Sequence, residues 1–487
     1  MKKALISLIP VVVLVVLLAF DISIFGSDSI LGASQVALLF AAGVCVCLAM
    51  GLFKTPWKAF EQAIKDNIGD VTTAIVILFL IGAISGTWTA SGVIPTLICY
   101  GVKIISPRFF LLTACVICAI VSVMTGSSWT TIATVGVALL GIGKAEGFSE
   151  GVIAGAIISG AYFGDKISPL SDTTVMASSV AGTPLFTHIR YMLVTTVPSI
   201  AITLIVFTVL GLTHGGGDPG QIGVYEETLR AHFHITPWVL IVPLATLAMI
   251  ACKMPALPVL GLSTLLAAIF AVIFQPSLIA EIGRDAAFAH DASRTLSQGQ
   301  QLLAGTIETI YNTVTVDTGN PQVNELVTSR GMTGMLNTVY LIICAMCFGA
   351  CMRASGMISH LAHTLIPLTR RRTGLVATTV GTGTVLNALV CDQYLSIILS
   401  ANIFREIYEK EGYENRLLSR SIEDSATVTS PLVPWSSCGM TQATILSTPT
   451  LVYLPYCFFN LISPLMSIAV ATLGYKIFRK EPSQPTT

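Results

Sequence analysis

Gly164-Asp165-Lys166-Ile167-Ser168-Pro169-Leu170-Ser171-Asp172-Thr173-Thr174 interrupts a mostly apolar segment that runs from about residue 149 to residue 180. A helix needs about 20 residues to cross a bilayer, and this stretch places two carboxylates, an ammonium and a proline within such a length. Ionisable groups at bilayer depth cost about 3 kcal/mol or more, so their presence indicates a function. Because proline lacks an N–H, Pro169 is expected to break the helix at or before Ser168.

The break predicts a site for a small cation. It frees backbone carbonyls, and oxygen atoms are the ligands that hard cations such as Na⁺ prefer. Asp165 and Asp172 flank the proline and are the predicted Na⁺- and proton-binding carboxylates, since transporters use broken helices near the midplane in this way. Lys166 is the predicted charge partner, which pairs with Asp165 or Asp172 and sets which carboxylate titrates. In the alternative interpretation, the helix is only kinked and its charges pair with each other. Four nearby hydroxyls complete the predicted oxygen shell: Ser168, Ser171, Thr173 and Thr174.

The composition of the chain indicates an all-α polytopic membrane protein. Of its 487 residues, 53% are hydrophobic and only 11% are charged, whereas soluble domains carry about 25% charged residues. The formal net charge is zero and no basic patch occurs, so we expect no nucleic-acid partner. We expect no cofactor and no enzymatic activity. A faint similarity to intramembrane aspartyl proteases lacks the Tyr-Asp pair that such enzymes need.

The second half of the chain repeats landmarks of the first. Ala354-Ser355-Gly356 repeats Ala90-Ser91-Gly92, and Ser430-Pro431-Leu432 repeats Ser168-Pro169-Leu170 at nearly the same interval. Near the second proline, Glu423 and Asp424 are the predicted counterparts of the first carboxylates. Asp424 is expected to take part in cation and proton binding, and Glu423 is either a second proton carrier or an acid near the surface.

Two pairs of short apolar runs predict re-entrant hairpins, at 109–142 and 374–404. The runs are too short for full spans, and such backbone is tolerated at membrane depth only where protein or a water-filled cavity covers it. A full helix with a polar stripe is the alternative for 109–142. Ser127, Ser128 and Asp392 are expected to reach the broken helix and to complete its oxygen shell, with Asp392 as an ion- and proton-binding residue. In a second interpretation, Asp392 is the N-cap of a hairpin helix. The predicted tip residues are Ser127, Ser128 and Thr130 in the first hairpin, and Asn387 and Asp392 in the second.

The distribution of Lys and Arg predicts the orientation. Ten spans and two hairpins, with Lys2 and Lys3 inside, place most bases in the cytoplasm of a multi-pass cell-membrane protein with both termini cytoplasmic. The two repeats then have opposite orientations, which is an inverted repeat. The predicted units are a first repeat over 1–212, an external loop over 213–235, a second repeat over 236–475 with an external loop over 276–335, and a cytoplasmic tail over 476–487.

The central string, Gly164 to Thr174, resembles the signature of the NhaC family of Na⁺/H⁺ antiporters. Glu423-Asp424-Ser425 with Thr429-Ser430-Pro431-Leu432-Val433-Pro434-Trp435 resembles the second motif of that family, and the resemblance covers nearly the whole chain. It implies Na⁺/H⁺ exchange, although some members exchange malate for lactate together with H⁺ and Na⁺. It also implies two re-entrant hairpins and, as in many relatives, a homodimer. These expectations come from the wider ion transporter superfamily, to which the NhaC family belongs. Members of that superfamily carry Ser-Asn-Thr at both tips, whereas this chain has Ser127-Ser128-Trp129-Thr130 and Cys391-Asp392-Gln393.

We therefore predict Na⁺/H⁺ antiport by alternating access, with the lipid bilayer, Na⁺ and H⁺ as partners. The alternative is coupled transport of a small organic solute, such as an organic anion or an amino acid. Arg353 would then hold a carboxylate through its guanidinium group. A lipid-interface arginine that extends its charge toward water is the other interpretation of Arg353.

Overall fold

The structure, a computed structural model, describes residues 2–25, 32–213, 219–290, 296–363 and 372–479. Eight helices in these ranges are long and apolar enough to cross a bilayer, and two bent helix pairs raise the number to ten. Side chains such as Phe20, Phe40, Ile205 and Leu265 form part of a large exposed apolar surface along these helices, as lipid requires. The prediction of an all-α polytopic membrane protein is confirmed.

The first half of the chain contains eleven α-helices within its described residues. They are α1 (Lys2–Phe25), α2 (Ala33–Leu48), α3 (Trp57–Asp70), α4 (Thr72–Ala90), α5 (Val93–Ile104), α6 (Phe110–Thr125), α7 (Ser128–Thr131), α8 (Val137–Ala145), α9 (Glu150–Ile167), α10 (Asp172–Ala181) and α11 (Leu185–Thr213). A π-helical segment, Ile132–Gly136, joins α7 to α8 without a loop.

The second half begins with helices that belong partly to the predicted loops. They are α12 (Pro219–His232), α13 (Ile241–Ala251), α14 (Ala256–Phe274), α15 (Pro276–His290), α16 (Gln298–Tyr311), α17 (Pro321–Val327), α18 (Leu336–Ala354) and α19 (Met357–His363). The remaining helices are α20 (Arg372–Val390), α21 (Gln393–Lys410), α22 (Asn415–Ile422), α23 (Ser437–Ile445), α24 (Thr450–Tyr453) and α25 (Phe458–Leu473). The predicted loop 276–335 is thus largely helical. Residues 480–487 of the predicted tail lie outside the described residues.

The first hairpin consists of α6 and the α7–α8 helix, and its tip contains Gly126 in the left-handed region at φ 67°. Ser127 caps α7 by accepting a hydrogen bond from the Thr130 N–H at 3.2 Å. The second hairpin consists of α20 and α21, and its tip has Cys391 at φ 60°. Asp392 caps α21 by accepting from the Leu395 N–H at 3.0 Å, so the capping interpretation of Asp392 describes its local geometry correctly.

The first arm of each hairpin is longer than the apolar runs predicted. Pro107–Thr125 and Arg372–Val390 each have 19 residues, enough for a span by length and composition. The apolar runs end before the polar residues Ser122 and Asn387, whereas the helices continue through them. Ser122 donates to the Ala161 carbonyl and Asn387 donates to the Ala426 carbonyl, so neither side chain has to face lipid.

Glycines on α9 hold the first hairpin against the broken span. A Cβ atom at Gly160 would lie 2.1 Å from the Cys115 carbonyl oxygen of α6, and one at Gly164 would lie 2.6 Å from the Ala119 carbonyl oxygen. Close approach of this kind is the use of small residues in membrane helix packing. It places the end of α6, and therefore the hairpin tip, beside the end of α9.

The predicted break of the first motif is confirmed. The last residue of α9 is Ile167, Ser168 is extended, and Ser171 caps α10 by accepting from the Thr174 N–H. In the second half, Ser436 caps α23 by accepting from the Gly439 N–H. The interval along the chain from Ser171 to Ser436 equals the interval from Ser127 to Asp392, the caps at the two tips. We call it the structural repeat interval, and it is three residues longer than the interval between the two proline motifs.

Candidate functional site

The carboxylate of Asp165 is the centre of the first broken span. Its side chain is buried, near the end of α9, and its two oxygens have different partners. Ser171 donates to Oδ1 at 2.6 Å from the far side of the break, and Ser128 donates to Oδ2 at 2.7 Å from the hairpin tip. The predicted meeting of the tip with the broken helix therefore occurs at this carboxylate.

The other predicted hydroxyls at the break divide into two groups. Thr173 lies in the polar cluster, with its Oγ1 2.9 Å from the Ser171 hydroxyl and 3.4 Å from Glu423 Oε1. Thr174 instead donates to the carbonyls of Asp165 and Lys166, and Ser168 donates to the Val123 carbonyl. Thr174 thus supplies donors for carbonyls that the break leaves without helical partners.

A cavity of about 670 Å³ connects Asp165 to the protein surface. Asp172 also lines it, and unlike Asp165 this residue is exposed. Asp70 and Lys253 line its exposed part. Ligand pockets in proteins are typically about 300–1,000 Å³, so the cavity has room for water or a small molecule beside an ion.

Three cavity-lining side chains at the hairpin tips were not predicted as site residues. Trp129 follows Ser128 at the first tip, and Gln393 and Tyr394 follow Asp392 at the second. The structural repeat interval pairs Ser128 with Gln393 and Trp129 with Tyr394. Their places within two residues of the predicted tip residues Ser127 and Asp392 were the sequence signal that could have identified them.

A second polar centre lies deeper in the protein and joins the two halves. Lys166 was predicted to pair with Asp165 or Asp172, but its Nζ contacts Oδ1 of Asp424 and both side chains are fully buried. Lys166 also donates to Ser463 at 2.7 Å. The prediction failed because Lys166 directly follows Asp165 on a helix, where adjacent side chains point in different directions.

Asp424 has a second cationic neighbour, Arg420, whose Nε is 3.9 Å from Oδ2. The Arg420 guanidinium is fully buried and lies 4.5 Å from the centre of the Tyr191 ring. Glu423 is also buried, so it is not a surface acid, and it lies with Asp424 on the π-helical segment Glu423–Thr427. Segments of this kind often occur at functional sites.

The remaining predicted site residues lie elsewhere. Asn387 donates to Thr429 at 3.0 Å as well as to the Ala426 carbonyl. Asp392 accepts from the Ser437 hydroxyl at 3.2 Å through Oδ2. Arg353 lies in the last turn of α18, donates to the Ala63 carbonyl at 3.5 Å and is not among the residues that line the cavity.

The charges of the cavity favour cations. Its described lining contains three carboxylates, Asp70, Asp165 and Asp172, and one ammonium group, Lys253. A buried carboxylate fixed by two hydroxyl groups offers oxygen atoms of the type that Na⁺ binds. The same oxygen atoms can carry a proton instead, so one group can serve both ions.

Comparisons with known proteins give matches along most of the chain. The model of the Na⁺/H⁺ antiporter family matches residues 3–183 and 160–475. A malate-2H⁺/Na⁺-lactate antiporter of Bacillus subtilis (strain 168) is 35% identical over 442 residues, which cover 90% of this chain and 89% of the relative. The Na⁺/H⁺ antiporter NhaC of the same organism is 34% identical over 434 residues, 89% of this chain and 91% of the relative. The arginine/ornithine antiporter ArcD of Halobacterium salinarum (strain ATCC 700922 / JCM 11081 / NRC-1) is 31% identical over 482 residues, 98% of this chain and 93% of the relative.

Proposed function

Because the chain belongs to the Na⁺/H⁺ antiporter family, and is therefore a secondary active antiporter, we propose that it exchanges Na⁺ for H⁺ at Asp165. The observation that carries this proposal is the buried Asp165 carboxylate, which two hydroxyls hold at a helix break, at the inner end of a cavity. Na⁺ and H⁺ compete for the same oxygen atoms, so binding of one ion releases the other. Asp172 receives the ions in the solvated part of the cavity.

The second polar centre has a different role in this proposal. Lys166 and Arg420 both lie beside Asp424, and a guanidinium group does not lose its proton in proteins, so the carboxylate faces positive charge from two side chains. The pair therefore fixes the broken span of one half to the π-helical segment of the other. Glu423 is bonded to Thr173 and is the acid through which protonation at Asp165 reaches this pair.

Alternating access follows from the architecture that we propose for the membrane. The two halves are inverted repeats, each with one re-entrant hairpin, and both termini face the cytoplasm across the cell membrane. The cavity then opens to the cytoplasm, because Asp70 and Lys253 lie at cytoplasmic helix ends in this topology. The predicted homodimer remains part of the proposal, and its interface is on the exposed apolar surface.

The test is transport by purified protein in liposomes with an imposed Na⁺ gradient and an internal pH dye. Wild-type protein is expected to move protons against Na⁺ without any organic solute. Asp165→Asn keeps the size of the side chain but removes its charge, so exchange should fall at least ~100-fold. Asp172→Asn should raise the Na⁺ concentration for half-maximal exchange ~10-fold. This effect is smaller than that of Asp165→Asn because solvent screens the exposed charge of Asp172.

The control is Asp66→Asn, which changes an exposed carboxylate on α3 that accepts from Gln62 and does not line the cavity. Its exchange should equal that of the wild type. Normal exchange in monodisperse Asp165→Asn protein would contradict the assignment and move the search to Glu423 and Asp424.

The second candidate function is coupled transport of a small organic solute, and the size of the cavity favours it over the volume that one ion needs. Lys253 would be the group for a solute carboxylate, since Arg353 does not line the cavity. The same liposomes, with malate, lactate, arginine or ornithine on the opposite side, separate the two functions. Proton movement that requires one of these solutes would establish the second.

A further inference from the structure

We propose that Asp392 and Ser437 form a second cation-binding junction, closed in this structure, which opens to the opposite face of the membrane when the first junction closes. The first junction consists of Ser127 at the hairpin tip and Asp172 at the start of α10. The inference rests on the proposed function, because it assumes that the protein alternates its access. It assigns a small monovalent cation or a proton as the ligand of the second junction.

The two junctions occupy equivalent positions in the two halves of the chain. The structural repeat interval separates the left-handed tip residues Gly126 and Cys391, and the next residues, Ser127 and Asp392, both cap the following helix. On the partner helices, Asp172 and Ser437 are both the first helical residues and are separated by the same interval. Each junction therefore contains one tip residue and one helix-start residue at matching positions.

The two junctions contain the same two types of residue at these positions. The first junction has a serine on the tip and an aspartate on the broken span, whereas the second has the aspartate on the tip and the serine on the span. Each junction thus keeps one carboxylate and one hydroxyl, although the two have exchanged places. A repeat of the sequence alone hides this relation, because neither residue is repeated in its own position.

The two junctions differ in their access to solvent. Asp172 is exposed, while Asp392 is 4% exposed and bonded to Ser437 at 3.2 Å. On the neighbouring helices, Ala74 and Ile77 of α4 line the cavity, but their counterparts on α18 are buried. The counterparts are Thr338 and Leu341, which follow from aligning Ala90 with Ala354. The Thr338 hydroxyl contacts the Thr444 hydroxyl of α23. The second half is therefore closed where the first half is open.

Two buried oxygen atoms, on the hairpin and on the broken span that form the closed junction, lack a strong hydrogen-bond donor. Asn387 Oδ1 lies one turn before the tip and has no hydrogen-bond partner among the described residues. Ser430 Oγ has no such partner other than the nearby Cys438 thiol. Both side chains are fully buried. Ser430 follows Asp165 by the structural repeat interval, so the two residues occupy matching positions. A buried acceptor without a donor costs about 1–3 kcal/mol. A cation or a water molecule that enters when the junction opens removes this cost, and in the proposed open state these oxygens complete the shell of Asp392.

The chemistry of capping allows Asp392 to be tested without loss of structure. Asparagine caps helices about as well as aspartate does, so Asp392→Asn keeps the bond to Leu395 and removes only the charge. If Asp392 were only a cap, exchange by Asp392→Asn would equal that of the wild type. The proposal expects exchange to fall ~10-fold or more, with Tm nearly unchanged. Ser437→Ala, which leaves the cap intact, should raise the Na⁺ concentration for half-maximal exchange at least ~3-fold.

The change of access is tested with a cysteine pair. The Thr338 and Thr444 hydroxyls are in contact, so Thr338→Cys with Thr444→Cys places two thiols within disulfide reach. Oxidation should lock the present state and abolish exchange, and a reductant should restore it. The single variants, Thr338→Cys and Thr444→Cys, are the controls and should be insensitive to the oxidant.

Labelling by membrane-impermeant thiol reagents then reads the two sides. Ser127→Cys should react from one face of the vesicle in both oxidised and reduced protein. Ser437→Cys should react from the other face, and only after the disulfide is reduced. Tandem mass spectrometry distinguishes position 437 from the neighbouring Cys438.

Three results would overturn the inference: normal exchange by Asp392→Asn, labelling of Ser437→Cys from the same face as Ser127→Cys, or labelling that ignores the disulfide. These outcomes are distinct from failure of the proposed function. That failure appears as normal exchange in Asp165→Asn, whereas failure of the inference leaves Asp165→Asn inactive and Asp392→Asn active.

Discussion

The two hairpin tips share a backbone but not a chemistry. Each turns through one left-handed residue and restarts with a capped helix, yet the first has Gly126 and Ser127 where the second has Cys391 and Asp392. The broken spans differ in the same way, because Asp165 of the first corresponds to Ser430 of the second. The comparison teaches that the turn conformation recurs at both tips, whereas the charged residues do not recur at the matching positions.

The largest expected effect comes from the buried ion pair, which belongs to neither tip. Asp424→Asn leaves Lys166 and Arg420 buried without an anion, and breaking a buried pair costs about 3–5 kcal/mol. Lys166→Met should destabilise the protein less, because Asp424 still has Arg420 as a cationic neighbour. Thermal unfolding of purified protein measures the difference, and an equal loss of Tm in both variants would contradict a role for Arg420.

The next largest effect concerns the turn residues of the tips. A Cβ atom at Gly126 would lie 2.6 Å from the Leu170 carbonyl group, and the left-handed backbone itself costs about 1–2 kcal/mol for a residue with a Cβ. Gly126→Ala should therefore destabilise the protein by about 2–4 kcal/mol. Cys391→Ala is the matched variant, because that tip already accommodates a Cβ, and it should cost about 1 kcal/mol. Similar Tm values for the two variants would show that the tips are packed alike.

A smaller effect separates binding from capping at the two breaks. Ser171 both caps α10 and donates to Asp165, whereas Ser436 caps α23 and donates to the Ser430 carbonyl. Hydrogen bonds to charged groups are worth about 1.5–3 kcal/mol, so Ser171→Ala should raise the half-maximal Na⁺ concentration ~10-fold or more. Ser128→Ala should act similarly.

Ser436→Ala controls for the lost cap in this experiment. It should reduce Tm by an amount corresponding to about 1 kcal/mol and change the half-maximal Na⁺ concentration less than ~3-fold. Equal effects of Ser171→Ala and Ser436→Ala on Na⁺ dependence would mean that the hydroxyl of Ser171 acts only through the helix.

The smallest effect lies in the loops after the hairpins. Glu146 and Glu411 occupy matching positions before left-handed glycines, but Glu146 is buried and Glu411 is exposed. Burial raises the pKa of Glu146 to about 7. Because the folded-state pKa exceeds the unfolded value, this stabilising contribution is complete below about pH 4.5 and declines as the pH rises through about 7.

Glu146→Gln should therefore flatten the dependence of Tm on pH between about 5 and 8, with a change of ~2–4 °C. Glu411→Gln should retain the dependence of the wild type. A decline of Tm that persists in Glu146→Gln would assign the titration to another group.

Much of the first motif could be predicted because its determinants are local. Pro169 has no N–H to donate, so α9 ends at Ile167 whatever surrounds it. Ser171 is directly before the next helix and caps it, as serine commonly does. The proximity of Ser128 to Asp165 followed from the predicted hairpin, whose tip had to reach polar protein rather than lipid.

The alignment of the second motif with the first could not be settled from the prolines. Ser430-Pro431-Leu432 forms a 3₁₀ turn at the end of the second broken span, and the cap Ser436 follows Pro431 by five residues, whereas Ser171 follows Pro169 by two. With the structural repeat interval, Asp424 corresponds to Ser159, whereas alignment on the two prolines pairs it with Tyr162, and neither alignment pairs it with Asp165. Asp424 consequently lies away from the break and faces Lys166.

The sequence by itself determined the membrane class, the helix breaks and the family, because hydropathy, proline and a specific polar string act over short distances. Only the tertiary structure decided which charges meet. Lys166 and Asp424 are 258 residues apart, and Gln393 and Tyr394 line the cavity of Asp165 only because the second hairpin packs beside the first break. Helix periodicity gives the direction of a side chain on its own helix, but its partner depends on which helix packs against that face, and that is a property of the folded chain.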